Sequence, residues 1–289
     1  MSKLPPLSRL LIGSVIISFA PVLIRLANAD PDIAGFYRML FAGLGLLPLF
    51  LIQGKRERLD RRTFLFIAAA GVSLGTDFMF WHRSINLIGP GLATLLGNFQ
   101  VFFTAFFSWL LLKERISGLF LVAVALAFGG LLLITGPDVP ALAAGVQLGI
   151  LHGLLTALTY SAYILLLKQG ITGSSIGGGT AIFIVSISCT LFLALSNLLK
   201  GSLFVLPDGR ALLFLAVLGL VCSAFAWSLI SSAIKQVPAT VAGLVLLLQP
   251  ALAFVWDVLL FKRVTSGSEY LGILFILAAI YLGTLRRST

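Results

Sequence analysis

Acidic side chains are scarce in this chain: Asp and Glu together number 10 among 289 residues, and charged residues of both signs make up only 10%. With 59% hydrophobic residues and a mean hydropathy of +1.10, that scarcity excludes a soluble globular domain. Cysteine is nearly absent. Cys189 and Cys222 both lie within apolar runs, so neither a disulfide framework nor a cysteine-based metal site is indicated. No His-Glu-x-x-His, Gly-x-Ser-x-Gly or Walker A sequence is present, which argues against an intramembrane enzyme and against an ATP-driven pump. No catalytic residue, metal ligand or cofactor is therefore assigned.

What fills the chain instead is long hydrophobic runs. A spanning helix needs ~20 mostly apolar residues. Ten such segments are expected, at 8–27, 33–52, 63–85, 91–112, 118–135, 145–167, 177–199, 210–232, 239–261 and 267–285. Short joins carrying Pro, Gly and charge separate them, for example Gly89-Pro90-Gly91 and Pro207-Asp208-Gly209. A net charge of +10 would suggest nucleic acid in a soluble protein; here basic loops that fix orientation explain it, and no nucleic-acid partner is expected. With the N-terminus inside, Lys3, Arg9, Lys55, Arg56, Arg58, Arg61, Arg62, Lys113, Arg115, Lys168, Lys235, Arg286 and Arg287 collect on the cytoplasmic side. Arg25, Arg83, Lys200, Arg210, Lys262 and Arg263 fall on the other, which favours both termini inside. Lys3 and Arg9 before an apolar run and Ala27-Asn28-Ala29 also match a secretory signal. Cleavage there would strip one half of its first helix and unbalance the repeat described next.

Ala93–Gly118 recurs in register at Ala242–Gly267, with Gln100 matching Gln249 and Lys113-x-x-x-Ser117-Gly118 matching Lys262-x-x-x-Ser266-Gly267. The chain thus divides into two five-span halves, 1–138 and 139–289. Five is odd, so the halves enter the membrane with opposite orientation. Inverted repeats of this kind place a substrate site near the midplane and allow alternating access. Gly71 with Gly75, and Gly145, Gly149 and Gly153, have the small-xxx-small spacing of close helix packing.

Polar side chains are costly in lipid, so a polar stripe should face the bundle interior. Span six carries His152, Thr156, Tyr160 and Tyr163 on one face; span eight has Ser223, Trp227 and Ser231. Span four has Thr94 and Asn98, with Phe99 adjacent, and span nine has Gln249 and Asp257 on either side of Pro250. Span one has Ser14 and Ser18 before Pro21, which frees backbone groups and favours a kink. For the single Ser and Thr residues, bonding back to their own helix is the competing reading. Span three is the most pointed, with Asp77 and Trp81 on one face and His82 beside them. A mid-span carboxylate needs a partner or a task. Asp77 either pairs with an intramembrane base, Arg38 or His82, or one of Asp77 and His82 binds a substrate ammonium or carries a coupling proton.

These residues resemble the drug/metabolite transporter superfamily, specifically its ten-helix EamA-type members. The resemblance lies in Trp109-Leu110-Leu111-Leu112-Lys113-Glu114-Arg115-Ile116-Ser117, in Asp77-x-x-Phe80-Trp81-His82-x-Ser84-Ile85 and in Ala93-Thr94-Leu95-Leu96-x-Asn98. It covers nearly the whole chain and is similar in particular to the YddG-type bacterial amino-acid exporters. It implies an all-α membrane protein of two inverted five-helix repeats around a central cavity lined by spans one, three, four, six, eight and nine. Two features depart from it: Lys262-Arg263 replaces the Lys113-Glu114 of the first half, and Gln100-Val101 stands where many relatives have proline. The missing proline argues against a helix break in span four, whereas Gln249-Pro250 favours one in span nine.

The expectation is a secondary transporter of the bacterial cytoplasmic membrane, monomeric or homodimeric, exporting small metabolites with broad selectivity, neutral and aromatic amino acids above all. Its expected binding residues are Asp77, Trp81, His82, Thr94, Asn98, Phe99, His152, Thr156, Tyr160, Tyr163, Ser223, Trp227 and Gln249. The alternatives are a facilitative channel and an exporter of nucleosides, sugars or drugs.

Overall fold

Apolar helices joined by short turns build the whole of the computed structural model, which describes residues 4–53, 59–135, 145–200, 207–262 and 266–284. Among the described residues, seven helical segments are long and apolar enough to cross a membrane, and the shorter Gln100–Leu112, Gly118–Leu133 and Gly267–Gly283 complete the ten spans. Helices satisfy their own backbone groups, which hydrocarbon requires. The outer surface is correspondingly apolar: Leu51, Trp109, Leu191 and Tyr281 are each more than half exposed. Spans three and eight are capped by Asp60 and Asp208, which accept from Thr63 N (3.3 Å) and Ala211 N (2.7 Å). The hydrogen bond from Thr63 also holds the Asp60 carboxyl below the usual carboxylate range.

Glycines report how the halves interlock. Gly43 meets Ile187, and Gly179 meets Leu49, so spans two and seven pack antiparallel. Spans five and ten do the same, with Gly130 against Gly272 and Gly283 against Ala123. Span three runs against span six, with Ile67 at Gly170 and Ile88 at Gly149; span one runs against span eight, with Gly13 at Ile230. Counterparts therefore pair either with each other or in exchanged couples, as a two-fold axis in the membrane plane requires. The expected Gly71–Gly75 and Gly145–Gly149–Gly153 ladders sit at such contacts, against span seven and the span three–four corner. The expected junction at 138/139 lies outside the described residues.

Three spans are broken. Span one consists of Pro6–Ile17 and Ala20–Ala27, interrupted just before Pro21 as its sequence favours. Span nine breaks between Ala239–Val245 and Leu248–Phe261, ahead of Pro250. Span four breaks as well, between Gly97 and Gln100, although it has no proline. The two latter breaks stand at Asn98–Phe99 and Leu246–Leu247, nearly equivalent places in the two halves. A tertiary contact substitutes for the missing proline. At the span-nine break Leu247 N donates to Leu244 O, which leaves Gly243 O without its usual helical donor. Gln100 Nε2 supplies one at 3.1 Å, and Thr104 Oγ1 holds the other end of the same amide at 3.1 Å.

Two other elements differ from the pattern in the sequence. Gly89-Pro90-Gly91 does not interrupt the helical backbone, which runs from Arg61 to Gly97. The chain turns there all the same. Leu96 and Ser84 both border Gly153, although a straight helix would hold them about 18 Å apart. In span eight, Gly209–Val217 and Trp227–Ile234 flank a π-helical stretch, Leu218–Ala226. Such stretches are rare and are frequent at functional sites.

Candidate functional site

Arg38 of span two reaches across the seam between the halves. Its Nε donates to Ser223 Oγ in the π-helical stretch at 2.6 Å, and its guanidinium lies 5.3 Å from the centre of the Phe78 ring. Asp77, the residue before Phe78, is 7% exposed, and its Oδ1 is buried without a hydrogen-bond partner. The expected pairing of Asp77 with Arg38 or His82 is not formed: among the described residues no hydrogen bond or ion pair reaches this carboxylate. The reason is that Ser223 and Phe78 hold the guanidinium elsewhere. Arg38 and Asp77 nonetheless remain neighbours, since the Phe78 ring beside the guanidinium belongs to the residue that follows Asp77 in span three.

Beside this pair, Tyr160 and Tyr163 of span six meet Trp227 of span eight. Trp227 lies 5.0 Å from Tyr163 and 6.4 Å from Tyr160 between ring centres, both edge to face. Tyr163 and Trp227 are 1% and 5% exposed, so they form the floor of the site. The Tyr160 hydroxyl adjoins the Gln249 amide, whose Nε2 is buried. Arg38, Tyr160 and Gln249 are each only partly buried.

The remaining expected residues divide into groups. Trp81 and His82 extend the span-three side, with Trp81 5.5 Å from His82 and Phe78 6.5 Å from it. His152 lies further along span six, stacked 5.8 Å from Phe80 with Nδ1 unpartnered. Thr156 is buried between them and the site, beside Gly97, and its hydroxyl is also unpartnered. Asn98 stands at the span-four break. Phe99 turns away from the aromatic floor and packs 4.8 Å from Phe128 of span five. The side chain of Thr94 lies outside the described residues, as does that of Asp257. Arg38 is the residue that sequence reasoning undervalued, since it figured there only as a structural partner for Asp77.

The two membrane faces are closed differently. At the face where span one begins, Glu114 accepts from Ala239 N (2.8 Å) and from Thr240 N and Oγ1 (3.3 and 3.2 Å), and pairs with Lys168 Nζ at 3.4 Å. Lys168 also donates to Val237 O. At the opposite face Arg25, at the end of span one, lies 4.0 Å from the ring centre of Phe261, at the end of span nine. Below it, Trp256 stacks 4.3 Å from Phe19 and donates Nε1 to Ser18 Oγ at 2.7 Å, fastening span nine to the break in span one. A cleft of about 740 Å³ opens beside Arg25, lined also by Asp30, Asp208 and Arg210; it contains none of the expected binding residues.

Comparison with known proteins agrees with this architecture. An uncharacterised transporter of Clostridium kluyveri is 24% identical over 256 residues, covering 86% of this chain and 81% of that protein. An uncharacterised protein of Pseudomonas aeruginosa is 28% identical over 221 residues, covering 76% of this chain and 73% of that one. A crystal structure superposes with a TM-score of 0.81 at 19% identity, over 96% of this chain and 98% of the other, which speaks for the fold alone. The EamA-like transporter family matches at residues 6–136 and again at 147–285, once for each half. Ten spans, an inverted duplication and a polar site on the seam between the halves therefore come together in one conclusion: the chain is a multi-pass membrane transporter and belongs to the EamA-like transporter family.

Proposed function

We propose that this transporter exports small amphipathic metabolites, neutral and aromatic amino acids above all, from the bacterial cytoplasm by alternating access. One observation carries the reading: an aromatic floor of Tyr160, Tyr163 and Trp227 stands with the Gln249 amide at Tyr160 and with Asp77, whose Oδ1 is buried without a partner. Buried polar atoms are costly when unpaired, so a ligand that supplies their hydrogen bonds is favoured there. The aromatic walls suit a hydrocarbon side chain and set no tight limit on its size. The charge distribution of the loops supports cytoplasmic termini, with Glu114 and Lys168 on that side. The chain works as a monomer or homodimer, the functional site lying within one copy.

Solute counterflow tests the reading. Proteoliposomes loaded with unlabelled phenylalanine should accumulate external labelled phenylalanine, and the initial rate should saturate. Flux that rises linearly with concentration favours a channel. Exchange of nucleosides or sugars in place of every amino acid moves the protein to another substrate class.

A further inference from the structure

We propose that Arg38 and Asp77 form a split site for the two charged ends of an α-amino acid, Arg38 taking the carboxylate and Asp77 the ammonium. The proposal deepens the transporter reading above and rests on it.

A guanidinium offers five N–H donors in a planar fork that matches a carboxylate. Arg38 commits only its Nε–H, to Ser223: among the described residues none of its four terminal N–H groups makes a hydrogen bond. Ser223 from span eight and the Phe78 ring from span three fix its position from two sides, so the fork is held ready before any ligand arrives. Asp77 is held just as firmly by burial, and it has no donor of its own.

Two opposite charges near each other in a low-dielectric interior would ordinarily close into an ion pair. Here they do not: among the described residues no ion pair joins them, although Asp77 directly precedes Phe78, whose ring lies 5.3 Å from the Arg38 guanidinium. A ligand that carries a carboxylate and an ammonium in one molecule satisfies both at once. A simple amine leaves Arg38 unmatched and a simple acid leaves Asp77 unmatched, which gives the site its discrimination. The side chain of the amino acid is directed onto the aromatic floor of Tyr160, Tyr163 and Trp227.

The test uses phenylalanine counterflow in proteoliposomes, with phenethylamine (the carboxylate removed) and 3-phenylpropionate (the ammonium removed) as competitors. In the wild type both should compete about tenfold or more weakly than phenylalanine itself. Arg38→Gln should weaken phenylalanine by about tenfold or more and leave phenethylamine unchanged or improved. Asp77→Asn should show the mirror image, sparing 3-phenylpropionate. Arg38→Lys, which keeps the charge and loses the fork, covers the case in which Arg38→Gln fails to fold, and it should also weaken phenylalanine selectively. Equal losses for all three compounds in either variant, or unchanged phenylalanine exchange, overturns the split site. If the wild type exchanges no amino acid at all, the transporter reading above fails instead.

Discussion

In the first half of the chain, Gln100 is 2% exposed and both ends of its amide are bonded, Nε2 to Gly243 O and Oε1 to Thr104. In the second half its counterpart, Gln249, is only half-buried, and its amide bonds no residue of the first half but faces Tyr160 of its own. Duplication gave both halves a glutamine beside a broken helix. Pro250 follows Gln249 and already favours the break in span nine, so Gln249 is released from that task. Gln100 has no proline to rely on, and the bond it makes across the seam ties the two breaks together. The contrast shows how an inverted repeat acquires a chemically one-sided site without losing its two-fold framework.

Breaking the first glutamine should cost the most. Gln100→Leu strands Gly243 O and a Thr104 bond in the interior, so thermal unfolding in detergent should fall by the equivalent of about 1–3 kcal/mol. Gln249→Leu should keep its melting temperature and lose amino-acid exchange; equal destabilisation by both substitutions would dissolve the comparison. The two faces offer a second contrast of the same form. Glu114→Ala abandons Lys168, Ala239 N and Thr240 together and should destabilise by about 1–3 kcal/mol. Phe261→Leu on the opposite face removes one cation–π contact and should cost about 0.5–1 kcal/mol. A reversed order in thermal melts would show that the Arg25 side is the tighter closure. On the aromatic floor, Trp227→Phe should fold normally and shift the preference between phenylalanine and leucine by about threefold to tenfold, read as competition in counterflow. The mildest expected change is at His82. His82→Gln should leave exchange intact and abolish only uptake driven by a pH gradient, and an unchanged gradient response removes His82 from any proton coupling.

Much of this was legible in the sequence because lipid imposes simple rules. Ten apolar runs, an odd number of spans per half and small residues at helical spacing led directly to the inverted bundle. The kink at Pro21 and the Gly149–Gly153 ladder followed from local chemistry, and two of the span-one hydroxyls bond back to their own helix: Ser14 to Leu10 O and Ser18 to Val15 O. What escaped was tertiary. The span-four break is dictated by Gln100 reaching 143 positions along the chain to Gly243, and no local propensity encodes that. Gly89-Pro90-Gly91 looked like a loop and is a helical corner, since side-chain periodicity does not report where an axis turns. Arg38 read as a structural partner for Asp77, because opposite charges in apolar runs usually pair; only the positions of Ser223 and Phe78 showed that it does not. Phe99 had the right neighbours in sequence and the wrong direction in space.

The π-helical stretch of span eight also has a mechanical side. A helix wound with five-residue closures carries surplus residues relative to an α-helix of the same rise. Each residue moved out of that surplus turns everything beyond it by about 100° and translates it by about 1.5 Å. Ser223 lies within the stretch and Trp227 immediately follows it, so one change of register would swing the anchor of Arg38 and the floor of the site together. Span eight is in this sense a screw thread, and its pitch couples the grip on a charged group to the shape of the wall beside it.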